Sequence, residues 1–171
     1  MKISCFTSKY SGLSNVLIND VLISKAFDLL SEKINRKNYN TNNYKAIWDT
    51  GATGTVITQK VVDECALSPT GVIEVHTAAG KTRTNSYLVN VWLPNKIIIP
   101  NVKAILGELA NNVEVLIGMN IIGRGDFAVT NKGGKTVFSF RFPSVECIDF
   151  VKKPFKPKPT KTIPGRKRFR H

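Results

Sequence analysis

Cysteine is scarce in this chain and badly spaced for cross-linking. There are three among 171 residues, Cys5, Cys65 and Cys147, and no C-x-x-C pair. An odd count at such spacing argues against a disulfide framework and against a structural zinc site, so buried free thiols are the expectation. Long apolar runs are also missing. No stretch reaches the roughly eighteen residues that a helical membrane span requires. Met1-Lys2 leads into Ser4, Thr7, Ser8 and Lys9, not into the apolar centre of a signal peptide. A cytoplasmic location is therefore the default expectation.

Acid is the third shortage. Twelve Asp and Glu face 25 Lys and Arg, for a net charge of +13. Nine of those bases, and no acid, lie in the last twenty residues, which leaves +4 for everything before Lys152. Prolines 154, 157, 159 and 164 interleave with the bases. Proline spacing and charge repulsion favour an extended, unpacked tail over residues 151–171. Such a tail is either a solvated extension that aids solubility or a nonspecific contact for anionic partners, nucleic acid or an acidic surface, through residues 152–171. The rest has ordinary composition, with 42% hydrophobic and 22% charged residues overall, and can bury a core. The expected division is one domain over residues 1–150, followed by the tail.

What the chain has in quantity is short strand signals. Val16-Leu17-Ile18 and Val21-Leu22-Ile23 flank Asn19-Asp20 and predict a tight hairpin. Residues 27–34 predict a short helix, and the Asn- and Lys-rich stretch 35–44 a surface loop. Ala46-Ile47-Trp48 predicts a strand entering a glycine-punctuated turn, with Val56-Ile57 resuming the apolar pattern. Residues 61–67 predict one or two helical turns. Val72, Ile73, Val75, Tyr87, Val89, Val91 and Leu93 alternate on two arms around Ala78-Ala79-Gly80-Lys81, a long hairpin with a small tip. Ile97-Ile98-Ile99 predicts a strand stopped by Pro100. Residues 113–117 lead to Gly118, and 119–122 predict a helical turn. Residues 127–129 and 136–140 predict strands joined across Asn131-Lys132-Gly133-Gly134. The pattern suits a small, mostly β barrel or sandwich with one or two short helices.

The stretch that carries chemistry is Ala46-Ile47-Trp48-Asp49-Thr50-Gly51-Ala52-Thr53-Gly54-Thr55-Val56-Ile57-Thr58. A carboxylate in so apolar a setting is costly unless it is paired or hydrogen-bonded. Gly51 and Gly54 let the backbone turn sharply and bring amide N–H groups towards it. An ordinary strand-to-turn aspartate accepts the same local bonds, so the triad alone decides nothing. The flanks add to it. Together with Val115-Leu116-Ile117-Gly118-Met119-Asn120-Ile121-Ile122 and the intervening hairpin, the segment resembles the active-site framework of retropepsin-like (retroviral-type) aspartic proteases. The resemblance covers residues 46–142, and its flanking segments are similar to bacterial retropepsin-like proteins.

The resemblance implies a small closed acid-protease barrel working as a two-fold homodimer. Only one Asp-Thr-Gly occurs, whereas the chemistry needs two carboxylates sharing one proton. A symmetric pair would bring two copies of Asp49 together. It implies an aspartic endopeptidase without metal or other cofactor. Asp49 would activate water, Thr50 would lock the two loops across the dimer, and Gly51 would permit their close approach. Ala52, Thr53, Ala79 and Gly80 would line an extended peptide substrate, the last two as a mobile lid. Leu116, Ile117, Gly118 and Asn120 would support the catalytic loop. Ile121-Ile122-Gly123 is a second hydrophobic-hydrophobic-Gly sequence, but it suits the following strand start less well. One departure stands out. Viral relatives place an acid soon after the triad and an Arg after the second glycine, and this chain has Thr53, Gly54 and Met119 instead. The alternative from another class is a non-cleaving peptide-binding or assembly module of the same fold. Retention of the costly acid favours the enzyme.

Overall fold

The computed structural model describes residues 3–27, 41–77 and 80–152. Within them ten strands and two short α-helices follow in order: β1 Ser4–Lys9, β2 Leu17–Lys25, β3 Asn42–Trp48, β4 Thr55–Ile57, α1 Gln59–Glu64, β5 Gly71–Thr77, β6 Gly80–Leu93, β7 Ile97–Leu106, β8 Val115–Ile117, α2 Met119–Ile122, β9 Asp126–Thr130 and β10 Val137–Phe142. The larger sheet runs β2-β3-β8-β4-β7-β6-β5, and β2 also pairs with β6. Six strands thus close into a barrel, and β5 hangs from β6 as the outer arm of a hairpin. Closure removes two sheet edges and gives each inward side chain neighbours on all sides. Ile23, Ile57, Val89, Val91, Ile99, Val115 and Ile117 are fully buried there.

The smaller sheet, β1-β10-β9, is antiparallel and packs aromatic rings against Trp48 of the barrel strand β3. Its central strand reads Val-Phe-Ser-Phe-Arg-Phe, and Phe138, Phe140 and Phe142 turn inward while Val137, Ser139 and Arg141 are half-exposed. Burying each phenyl ring stabilises by about 1.5–3 kcal/mol. Phe138 and Phe140 meet Trp48. Phe140 lies 5.0 Å from its ring, and Phe127 stacks on it at 5.6 Å. The Trp48 indole N–H donates to Asn19 Oδ1. Because Trp48 directly precedes Asp49, the aromatic cluster fixes the approach of the chain to the Asp49 loop.

Beyond β10 the chain is tied back through Asp126. Its carboxylate accepts from the Ser144 hydroxyl at 2.6 Å and the Val145 amide at 3.0 Å, and pairs with Arg141 at 2.7 Å. These donors, the Ser144 hydroxyl foremost, hold the Asp126 carboxyl down to about 2.

Several expectations are corrected. Residues 17–25 form one continuous strand, not a hairpin about Asn19-Asp20. The partner β3 supplies what those polar residues need: Trp48 donates to Asn19, and Lys45, opposite Asp20 in the ladder, pairs with it at 2.7 Å. Pairing across the sheet overrides their turn preference. Nor does Pro100 stop β7, which runs on to Leu106. A register shift between Val89 and Val91 lies opposite, and the Asn101 amide donates to Asn90 Oδ1 at 2.9 Å. Proline, lacking an N–H, fits where a bulge already interrupts the ladder. The first helix starts earlier than expected, at Gln59, and ends at Glu64. Of the thiols only Cys65 is buried, since Cys5 lies on a small outer sheet and Cys147 beyond it, both exposed. Strand β1 was not anticipated. The helix expected over residues 27–34 falls, after Phe27, outside the described residues.

Candidate active site

Asp49 leaves the end of β3 in a loop that returns as β4. The Asp49 amide donates to Ile117 O on β8 at 2.9 Å, which joins the loop to the parallel β3–β8 pair. The loop then folds on itself. The Gly51 amide donates to Asp49 Oδ1 at 2.8 Å, and the Ala52 amide to Asp49 O at 3.3 Å. The carboxylate is thus aimed by a backbone donor two residues on, and one oxygen is left for other partners. Asp49 is half-buried, while Thr50, Gly51 and Thr53 are exposed.

Gly118 closes the loop from behind. A Cβ there would sit 2.4 Å from Gly54 O and 2.8 Å from Ala52 O. Only a residue without a side chain permits β8 and the loop to approach so closely. The first residues of α2 then bind the loop directly. The Met119 amide donates to Ala52 O at 2.8 Å, and the Asn120 amide to Thr53 O at 3.1 Å. Asn120 bridges three elements: its Oδ1 accepts from the Thr55 hydroxyl at 2.8 Å, and its Nδ2 donates to Lys103 O at 3.1 Å. Loop, α2 and β7 are therefore one hydrogen-bonded unit. Thr53 and Met119 are thus each held by a backbone bond, to Asn120 and Ala52 respectively. The second hydrophobic-hydrophobic-Gly sequence lies elsewhere, with Gly123 nearest the Met119 carbonyl of its own helix.

A cleft of about 1170 Å³ opens on the outer face of the same strands. Its aliphatic floor includes Val56, Val75, Ile105 and Leu116. Val56 and Leu116 each stand between two buried residues and are cross-strand neighbours, and Val56 is also opposite Ile105. Asp49 does not itself line this space, but Leu116 adjoins the Ile117 carbonyl that holds the Asp49 amide. Val56, Val75 and Ile105 were not singled out from sequence. Their signal was an apolar residue on the outward position of a period-two strand, which is legible only once the inner face is known. Gly80 begins β6 opposite Thr77 with φ +120°, a conformation that favours glycine. Ala79 lies outside the described residues.

A lone Asp-Thr-Gly loop is thus backed by a hydrophobic-hydrophobic-Gly strand and a short helix on a closed barrel. A family described as "gag-polyprotein putative aspartyl protease" matches residues 37–124, just over half of the chain, and the chain belongs to that family. Among solved structures it is similar to a retropepsin-like aspartic protease from Rickettsia conorii, at 12% identity over 82% of this chain and 96% of that one, with a TM-score of 0.49. It is also similar to EIAV protease in complex with the inhibitor HBY-793, at 16% identity over 65% and 88% of the two chains, TM-score 0.45. No curated protein matches the sequence. Among the described residues no helix is long and apolar enough to cross a membrane.

Proposed function

We propose that the chain is an aspartic endopeptidase whose active unit is a homodimer. The observation that carries this reading is a single, fully braced Asp-Thr-Gly loop whose Thr50 and Gly51 are exposed in the single chain. One carboxylate cannot both take a proton from water and give one to the substrate carbonyl. Two carboxylates in contact share one proton, so one member is base and the other acid in the same step. A two-fold axis beside Asp49 meets that need with no further residue.

In this reading the Asp49 pair activates a water that attacks the scissile carbonyl, then protonates the leaving amine. Thr50 ties one loop to its mate and Gly51 lets them meet. Ala52, Thr53, Gly80 and Ala79 border an extended peptide, whose apolar side chains enter the cleft floored by Val56 and Leu116. The nine bases of residues 152–171 support a compatible second role, salt-dependent attachment of the tail to an anionic partner. The barrel, in residues 1–150, would act independently of it.

The test is Asp49→Asn against a peptide library. The expected result is loss of all cleavage with an unchanged circular dichroism spectrum and dimer mass. Cleavage by the variant at the parental rate would remove Asp49 from the chemistry, and no cleavage by the parent itself would leave the non-cleaving peptide-binding module.

A further inference from the structure

We propose that the apolar turn over residues 145–151 and the bases of residues 152–171 together seat this protein on an anionic lipid surface. Ile148, Phe150 and Val151 enter the headgroup layer, and the bases pair with lipid phosphates and carboxylates. This deepens the tail attachment proposed above and rests on that reading, not on the endopeptidase one. It begins from an apolar run with nothing to cover. Phe150 and Val151 are 80% and 90% exposed, and Val145 and Ile148 just upstream are 51% and 47% exposed. Other exposed apolar residues, such as Val72, Leu88 and Val129, stand singly on strands whose backbone is committed to ladders. Phe150 and Val151 are neighbours, lie outside any strand or helix, and lead directly into Lys152 and Lys153.

The turn presents these side chains without presenting bare backbone. Asp149 Oδ1 accepts from the Val151 amide at 2.9 Å and the Lys152 amide at 3.1 Å. Two donors that would be costly in an apolar layer are thereby satisfied within the segment. The acids of the stretch are also answered. Glu146 pairs with Arg141 at 3.1 Å, and Asp149 with Lys152 at 3.7 Å. Upstream, the Val145 amide donates to Asp126 Oδ2 at 3.0 Å, which moors the turn to the small sheet. A surface that takes up the turn therefore holds the folded barrel as well as the tail.

Charge selects an anionic partner, and the apolar run selects its kind. Nine bases and no acid follow Val151, with Phe155, Ile163 and Phe169 among them. Each base close to an anionic leaflet strengthens binding about fivefold, an attraction that fades within about 10 Å in 0.1 M salt. Either signal by itself gives weak, reversible attachment, whereas an apolar insertion beside a polybasic stretch holds. A nucleic acid would also attract the bases and could stack on Phe150. It offers nothing to Ile148 and Val151, which need an apolar layer.

The test is co-sedimentation of the full-length protein with phosphatidylserine–phosphatidylcholine vesicles and with pure phosphatidylcholine vesicles, beside binding of a single-stranded RNA. The expected result is binding to the anionic vesicles and not to the neutral ones. Phe150→Ser/Val151→Ser keeps every base and should bind about tenfold more weakly. Phe150→Leu should stay within about twofold of the parent, since a lipid layer accepts any apolar side chain. Trp48 and Trp92 are buried, so Phe150→Trp should add an emission that shifts to the blue on vesicles and that brominated lipid chains quench. A double variant that binds vesicles as tightly as the parent would overturn the proposal and leave attachment by charge alone. RNA binding without vesicle binding would overturn it and leave another anionic partner. Binding to neither would overturn both readings of the tail. Loss of the dimer in the double variant would assign the apolar turn to a second copy and overturn the proposal.

Discussion

Replacing Gly118 with alanine should damage the Asp49 loop more than any other single methyl added nearby. The new Cβ would meet Gly54 O at 2.4 Å, Gly54 C at 2.7 Å and Ala52 O at 2.8 Å. All three are backbone atoms of the loop that carries Asp49, so no side chain can swing aside. Restoring ordinary contact requires the loop and β8 to part by about 1 Å, and overpacking of this kind costs about 1–3 kcal/mol. The same movement stretches the Met119–Ala52 and Asn120–Thr53 bonds, at 2.8 and 3.1 Å, each a loss of roughly 1 kcal/mol. The expected sum is about 3–5 kcal/mol, read as a lower urea midpoint at unchanged slope. On the proposed endopeptidase function, displacing Asp49 by about 1 Å should lower kcat/KM about a hundredfold. Gly54→Ala is the control, since nothing lies within 4 Å of its Cβ; it should unfold within about 0.5 kcal/mol of the parent. Gly123→Ala, facing one helix carbonyl at 3.0 Å, should fall between. Gly118→Ala as stable as the Gly54 variant, or milder than Gly123→Ala, would refute the reasoning.

Three further outcomes follow from the same geometry. Asn120→Ala leaves the buried Thr55 hydroxyl and Lys103 O without their partner and should cost about 2 kcal/mol in thermal unfolding, with kcat falling more than KM rises. Asp126 has a folded-state value of about 2 against an ordinary 3.8, so its contribution is complete above about pH 4 and lost as pH falls towards 2. The stability gap between parent and Asp126→Asn should therefore stay constant above pH 5 and shrink below pH 4. Val56→Ala removes two methyl groups from the cleft floor and should reduce kcat/KM for aliphatic peptides about tenfold, with a smaller loss for polar ones.

Much of this was legible in the sequence because the informative signals were local. Asp49-Thr50-Gly51, the hairpin arms and Val115-Leu116-Ile117-Gly118 each carry their pattern within a few residues. The misreadings came where distant partners decide. Asn19-Asp20 is a turn signal until Trp48 and Lys45 satisfy it from the next strand, and Pro100 is a strand end until a bulge at Asn90 makes room for it. Strand β1 escaped notice because, of Ser4–Lys9, it buries only Phe6, against an aromatic cluster drawn from β3, β9 and β10. The cleft floor was hidden for a related reason. Val56 and Leu116 look like core in sequence, and only the closed barrel shows which side of each strand faces out.

The most direct measurement of the central claim is subunit mixing. Parent and Asp49→Asn chains, unfolded together in equal amounts and refolded, should assort at random, so about one quarter of the dimers carry two Asp49 carboxylates. The account predicts about one quarter of the activity of the same total concentration of parent protein. One half, the value for chains that each act alone, would contradict it.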